Sequence, residues 1–378
     1  MKKITRLTVV LSLLGYFTLN AQITLPPNGN NQKSVVTQYI GALAHVTITY
    51  NSPDVTGPND QDRTGQIWGQ LVPYGLNDLG FGLRNPSPWR VGANENTTIT
   101  FSHDMLVQGQ PISAGTYGLH MIVEESGPWT IIFSNNSTAW GSFFYKEEED
   151  ALRVQATPED NEMREWLTFE FTDRQPESTT VAMMWEKVKV PFKIEVPDVE
   201  ELYLANLRNE LQTAKGFNYL SWVGAASYCL QNDVNLEEAL TWADAAISAP
   251  FIGQENFTTL QTKAQILDKL GRQEEGETTM MKAINHPTAS SFQIHNMGRQ
   301  LIAQGQKEKA LKVFKLNYER FDKAWPTEVG MARGLSAVGN YAEAAKHAKV
   351  ALEQAPDDLN RNFLQQAIEK LEKGEDIN

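Results

Sequence analysis

One cysteine, Cys229, occurs in 378 residues. No internal disulfide is available, so the chain has to hold together by burying apolar surface. Cys229 lies in an apolar helical stretch with no positive neighbour to lower its pKa, and it reads as a small buried filler, not a reactive thiol. Positive charge is also scarce: 33 Lys and Arg stand against 46 Asp and Glu, a formal net charge of −13. That balance argues against a nucleic-acid partner, which needs a basic face to displace counterions, and against docking on anionic lipid. Beyond the first residues no apolar run reaches the roughly 18 residues of a membrane span. Several enzyme signatures are missing: the Gly-x-Ser-x-Gly elbow, the Walker loop and His-Glu-x-x-His. Gly80-Phe81-Gly82 lacks the third glycine and the βαβ setting of a dinucleotide site. No cofactor is expected, and a non-enzymatic protein is favoured over an unrecognised hydrolase or metal enzyme.

The N-terminus has the pattern of a secretory signal. Lys2, Lys3 and Arg6 precede an apolar stretch from Leu7 to Leu19, too short to span a bilayer, and Leu19-Asn20-Ala21 ends in a small residue. Residues 1–21 therefore read as a signal peptide cut after Ala21. No cysteine lies near the cut, so a lipoprotein anchor is not expected. The expected location is the periplasm or the exterior of a Gram-negative bacterium.

From Ser34 to Val196 the dominant period is two. Ala44, Val46, Ile48 and Tyr50 alternate with His45, Thr47 and Thr49; Leu167, Phe169 and Phe171 alternate with Trp166, Thr168 and Glu170; Phe192, Ile194 and Val196 alternate with Lys193 and Glu195. Such alternation marks strands with one buried face. Further strands are predicted at Ile67–Val72, Thr97–Phe101, Thr116–Val123, Trp129–Ser134, Leu152–Ala156 and Thr179–Trp185. Turn signals such as Ser52-Pro53-Asp54 and Ser126-Gly127-Pro128 separate them, and Gly75–Ser87 reads as a loop leading to Trp89. Residues 22–197 are expected to form an antiparallel β-sandwich.

Several strings in this part resemble one family: Ile67-Trp68-Gly69, Leu71-Val72-Pro73-Tyr74-Gly75, Trp89-Arg90-Val91-Gly92-Ala93-Asn94-Glu95, Ala114-Gly115-Thr116-Tyr117, Trp140-Gly141 and Trp185-Glu186-Lys187-Val188 with Val190-Pro191-Phe192. Together they are similar to the bacterial domain-of-unknown-function family 2911 over roughly Gln32 to Val196, with Trp89–Glu95 the most specific string. Against that pattern, Leu76–Pro88 is an insertion between Pro73-Tyr74-Gly75 and Trp89-Arg90. The resemblance implies an exported β domain and brings no assigned activity.

After Val196-Pro197-Asp198 the period becomes helical. Gly271, Gly305 and Gly339 are spaced by 34 and 34 residues, the tetratricopeptide period, and Gly276, Ala310 and Ala344 each follow their glycine by five. Gly298 and Ala332 supply a small residue in the preceding helix. Ala344, Ala348, Ala351 and Pro356 complete the last unit, and Ala239, Ala243 and Ala246 mark an earlier one. Small residues recur because paired helices must approach closely and each unit buries its face only against neighbours. Residues 198–378 are therefore expected to form an α-solenoid of about four tetratricopeptide-like units. That resemblance implies binding of another protein or a peptide on the inner face.

Candidate site residues are few. His45, His103 and His120, with Asp54, Glu95 and Asp104, have no metal-ligand spacing, and no metal site is assigned to them. The string Trp89, Arg90, Asn94 and Glu95 places charge within an apolar, glycine-containing segment. It suits either an Arg–Glu pair pinning the loop or a ligand site for a glycan or small polar molecule. Trp166 alone among the β-domain tryptophans is expected on the outer face, opposite Leu167, Phe169 and Phe171.

Overall fold

The computed structural model of the chain describes residues 31–378, so the proposed signal peptide, its cut after Ala21 and the start of the β domain at residue 22 lie outside the described residues. The chain divides into two compact units between Val199 and Glu200.

The first unit is built from antiparallel β-sheets. A six-stranded sheet runs in the order β1 (Gln32–Ile40), β2 (Ala44–Ser52), β5 (Thr98–Phe101), β8 (Gly115–Ile122), β9 (Trp129–Ser134), β10 (Asp150–Ala156). A four-stranded sheet runs β11 (Glu159–Thr172), β12 (Ser178–Glu195), β6 (Met105–Val107), β7 (Gln110–Ile112), and β3 (Thr56–Gly57) pairs with β4 (Gln61–Asp62) as a short ribbon. The residues that alternate in sequence alternate in burial: Ala44, Val46, Ile48 and Tyr50 of β2 and Leu167, Phe169 and Phe171 of β11 all point into the core. The two sheets meet through aromatic pairs, Tyr50 edge-on to Phe169 at 5.0 Å and Phe133 to Phe192 at 6.2 Å. Strand β12 changes partner along its length, pairing with β11 as far as Lys189 and with β6 from Ile194. Pro191, which has no N–H to give to a ladder, sits between those two pairings.

One expected strand is absent. Ile67–Val72 closes into a tight loop, with Val72 N–H donating to the Ile67 carbonyl at 2.8 Å and Gly69 at φ +80°. Its apolar residues still serve the core, since Ile67 and Val72 are both buried. The long connection from β4 to β5 is held against β8: Trp89 exchanges two backbone hydrogen bonds with Met121, and Gly75 N–H donates to Val123 O. Trp166 is exposed, as the alternation requires, and so is Trp140.

The second unit consists of ten helices, α1 (Val199–Leu211), α2 (Tyr219–Asn232), α3 (Leu236–Ser248), α4 (Phe257–Lys269), α5 (Gln273–Asn285), α6 (Ser291–Ala303), α7 (Lys307–Arg320), α8 (Trp325–Ala337), α9 (Tyr341–Glu353) and α10 (Asp358–Glu372). Helices α2 to α9 form four hairpins, each joined by a three-residue turn. Gly271, Gly305 and Gly339 lie in the last three of these turns at φ +76°, +77° and +80°. In each, the next residue donates its N–H to the carbonyl five positions back, as Gln306 does to Leu301 at 2.8 Å, which is the hydrogen bonding of a left-handed helix stop. The first hairpin uses Asp233 at φ +60° in the same role, with Val234 N–H bonded to Cys229 O. Helix starts are capped where the sequence offers a side chain: Asn256 with Thr259, and Ser290 with Gln293, form reciprocal capping boxes. Gly276, Ala310 and Ala344 are buried at the helix crossings, as are Ala239, Ala243 and Ala246. Cys229 is fully buried, and burial pushes its thiol up to about 11.

The closest crossing makes a direct test. A Cβ on Gly298 would lie 2.5 Å from the Phe314 ring, whereas one on Gly224, exposed on α2, would meet nothing. Gly298→Val is expected to lower the stability of the helical unit by about 1–3 kcal/mol through overpacking. Gly224→Ala is expected to raise it by roughly 0.5–1 kcal/mol. Urea unfolding followed by helical circular dichroism measures both.

Candidate functional site

A cavity of about 720 Å³ in the β unit is bounded by the β4–β5 connection, the turn after β2 and Trp185 of β12. Trp89, Arg90 and Asn94 line it; Glu95 does not. The expected Arg90–Glu95 pair is not formed. Arg90 Nη1 donates to the backbone carbonyl of Asn94 at 2.8 Å, while Glu95 Oε2 accepts from Asn51 Nδ2 at 2.8 Å. The reason is the backbone: Asn94 adopts a left-handed conformation (φ +57°), which turns its carbonyl, and not the Glu95 side chain, toward Arg90. The same loop holds Val91 at φ +52°, a conformation that β-branched residues rarely take and that costs on the order of 1–3 kcal/mol. Two contacts over-determine it: Thr97 Oγ1 donates to Val91 O at 2.7 Å, and Ala93 N–H donates to Asn51 O at 3.1 Å.

The Arg90 side chain is half-buried, with its guanidinium carbon 5.1 Å from the centre of the Phe143 ring. Gly141 permits this position, because any Cβ there would sit 2.6 Å from Arg90 Nη1. Burial lowers the Arg90 pKa, and among the described residues no carboxylate stands within ion-pair distance to offset it. The other cation on the wall, Arg63, is already engaged by Asp54, with a guanidinium-to-carboxylate distance of 3.3 Å. Behind the cavity His120 is buried and shares a hydrogen bond with Ser142 Oγ at 2.9 Å; burial first, and then the Arg90 charge, hold its pKa down at about 4. Trp68, Trp89, Trp129 and Trp185 form one cluster with ring centres 4.9–6.0 Å apart, and the indole N–H groups of Trp68 and Trp185 have no acceptor among the described residues.

The remaining polar candidates stay apart. His103 bonds to Ser102, Asp104 accepts from Ala114 N–H, and the His45 ring lies against Tyr39. No group of three or more His, Cys, Asp or Glu among the described residues is placed to hold a metal ion. Arg63, Asp54 and Trp185 join the site through separate loops and strands, and no local spacing in the sequence signals their convergence.

In the helical unit a groove of about 780 Å³ crosses α2, α4 and α6. Side-chain amides mark it: Gln231, Gln265, Gln300 and Gln304 line it, and Gln300 Oε1 accepts from Gln265 Nε2 at 3.1 Å across two successive hairpins. Gln306 adds an Oε1 that is buried without a partner. Met280, Met297 and Leu301 provide the apolar floor. Farther along, Arg333 of α8 stacks on Phe363 at 4.9 Å, and residues 376–378 lie against it: Ser336 Oγ and Asp376 share a hydrogen bond at 2.7 Å. No helix among the described residues is long and apolar enough to cross a membrane.

The buried imidazole gives a pH dependence with a definite sign. The unfolded chain takes up a proton at His120 near the ordinary imidazole value of 6.5, and the folded chain refuses it until about 4. Stability from this group is therefore complete above 6.5 and is lost as pH falls from 6.5 toward 4, by an amount of order 3 kcal/mol. His120→Asn, which keeps a polar atom toward Ser142, is expected to flatten the slope in that window relative to the native chain, read by chemical unfolding at a series of pH values. Among functionally curated proteins none matches this chain. Three solved structures of tetratricopeptide proteins resemble it at low identity. YrrB, described as having an unusual peptide-binding site, is 17% identical over 44% of this chain and 83% of its own, with a TM-score of 0.28. A repeat protein from Parabacteroides merdae is 19% identical over 45% and 68%, at 0.30, and one from Thermus thermophilus 17% over 44% and 90%, at 0.27. Residues 31–194 match the family described as a protein of unknown function, DUF2911. Residues 31–194 are thus a DUF2911 domain.

Proposed function

We propose that this is an exported, non-enzymatic protein whose helical repeats hold an extended segment of another protein. The observation that carries the reading is the amide-lined groove over α2, α4 and α6. A side-chain amide offers both a carbonyl acceptor and N–H donors, so it can pair with the N–H and the C=O that each residue of an extended backbone presents, and a row of amides reads a peptide by its main chain and tolerates varied sequence. The Met280–Met297 floor adapts to different side chains, as thioethers do. Repeat arrays commonly use such extended surfaces for partners. Export is supported by the charged and apolar pattern of residues 1–21, and an exported chain meets its partner outside the cytoplasm.

Two measurements test this. Protein secreted by a Gram-negative host is expected to begin at Gln22; a mature form retaining Met1 counts against export. A displayed library of random peptides panned against the full chain is expected to yield binders whose affinity drops about tenfold in Gln265→Leu/Gln300→Leu, with helical circular dichroism unchanged. Binders indifferent to that double substitution would move the interaction away from the groove.

A further inference from the structure

We propose that the cavity under the Trp89–Asn94 loop is a binding site for a small monocarboxylate, with the Arg90 guanidinium as the partner of the anion. The site is separate from the repeat groove and does not depend on it. Its size, about 720 Å³, lies within the range of small-molecule pockets. Its charge selects the ligand class. Arg63 and Asp54 on the wall neutralise each other, which leaves Arg90 as a half-buried positive charge with no carboxylate partner among the described residues. A buried charge without a counter-ion is costly, and a single carboxylate restores the balance, whereas a phosphate dianion would exceed it. The guanidinium uses one N–H on Asn94 O, and its planar fork leaves further donors for bidentate contact with a carboxylate.

The rest of the site fits an anion that carries a ring or apolar body. Trp89 and Trp185 lie nearly parallel, 6.0 Å apart, at the cavity wall. Trp185, 1% exposed, has an indole N–H with no acceptor among the described residues. The strained loop keeps Arg90 from relaxing toward solvent: Val91 and Asn94 are both left-handed, and Gly92 packs so closely that a Cβ would sit 2.8 Å from Thr97 Oγ1. Strain that persists because its surroundings over-determine it fits a preorganised ligand grip. An acidic sugar and an apolar carboxylic acid share this chemistry.

The test uses the full chain, calorimetry and intrinsic tryptophan fluorescence. The probes are glucuronate and benzoate, their uncharged counterparts glucose and benzyl alcohol, and inorganic phosphate. At least one carboxylate is expected to bind and perturb the fluorescence, about tenfold more tightly than its uncharged counterpart and than phosphate. Glucuronate alone would identify an acidic-sugar site, benzoate alone an apolar-acid site. Arg90→Lys is expected to weaken binding about tenfold by removing the bidentate fork. Leu71→Trp, at an exposed wall position away from the loop, is expected to abolish it by filling the cavity, and it decides the matter should Arg90→Lys not fold. The proposal is overturned if neither carboxylate binds at millimolar concentration, if glucose, benzyl alcohol or phosphate binds as well, or if binding survives both substitutions.

Discussion

Four indole rings organise the first unit. Trp129 comes from β9 of the larger sheet, Trp185 from β12 of the smaller one, and Trp68 and Trp89 from the connection between β4 and β5. Trp68 touches the other three, so the cluster binds both sheets and the irregular connection into one core. Without a disulfide, contacts of this size are the means available for fixing a long loop. The Trp89–Asn94 segment keeps its left-handed backbone because its anchor cannot move: Trp89 is held by indoles on one side and by the Met121 ladder on the other. The position of Arg90 follows from that anchor.

The helical unit depends on a different constraint, the close approach of paired helices. Each hairpin turns on a left-handed residue, and each crossing is occupied by Gly or Ala. Where a large ring is needed, as at Phe314, it is received by a neighbouring glycine, Gly298. Stacking of successive hairpins brings amides from separate hairpins to one groove, where Gln265 and Gln300 are hydrogen-bonded to each other. A protein-binding surface of this kind is a product of repetition: no single hairpin carries it.

Legibility differed between the units for physical reasons. In the helical unit the turn glycines, the crossing alanines and the thirty-four-residue spacing are local requirements, and each is written directly in the sequence. In the β unit, alternation revealed most strands because burial on one face has period two. It misread Ile67–Val72, where an equally apolar run is consumed by a loop whose direction Gly69 reverses. Proximity in the chain also made an Arg90–Glu95 pair one of two readings of the loop, when the left-handed Val91 and Asn94 between them send the two side chains to different partners.

The sequence by itself determined the order of a β domain before helical repeats, the repeat period and the string that carries Trp89, Arg90 and Asn94, because these follow from local periodicity and from residues that only certain backbones accept. Only the tertiary structure decided what surrounds them. Arg63 finds Asp54, Trp185 arrives from a strand about ninety residues away along the chain, and Arg90 is left without a counter-ion among the described residues. Charge balance in a cavity is a sum over groups that folding brings together from distant positions, and neighbouring residues in the chain do not encode that sum.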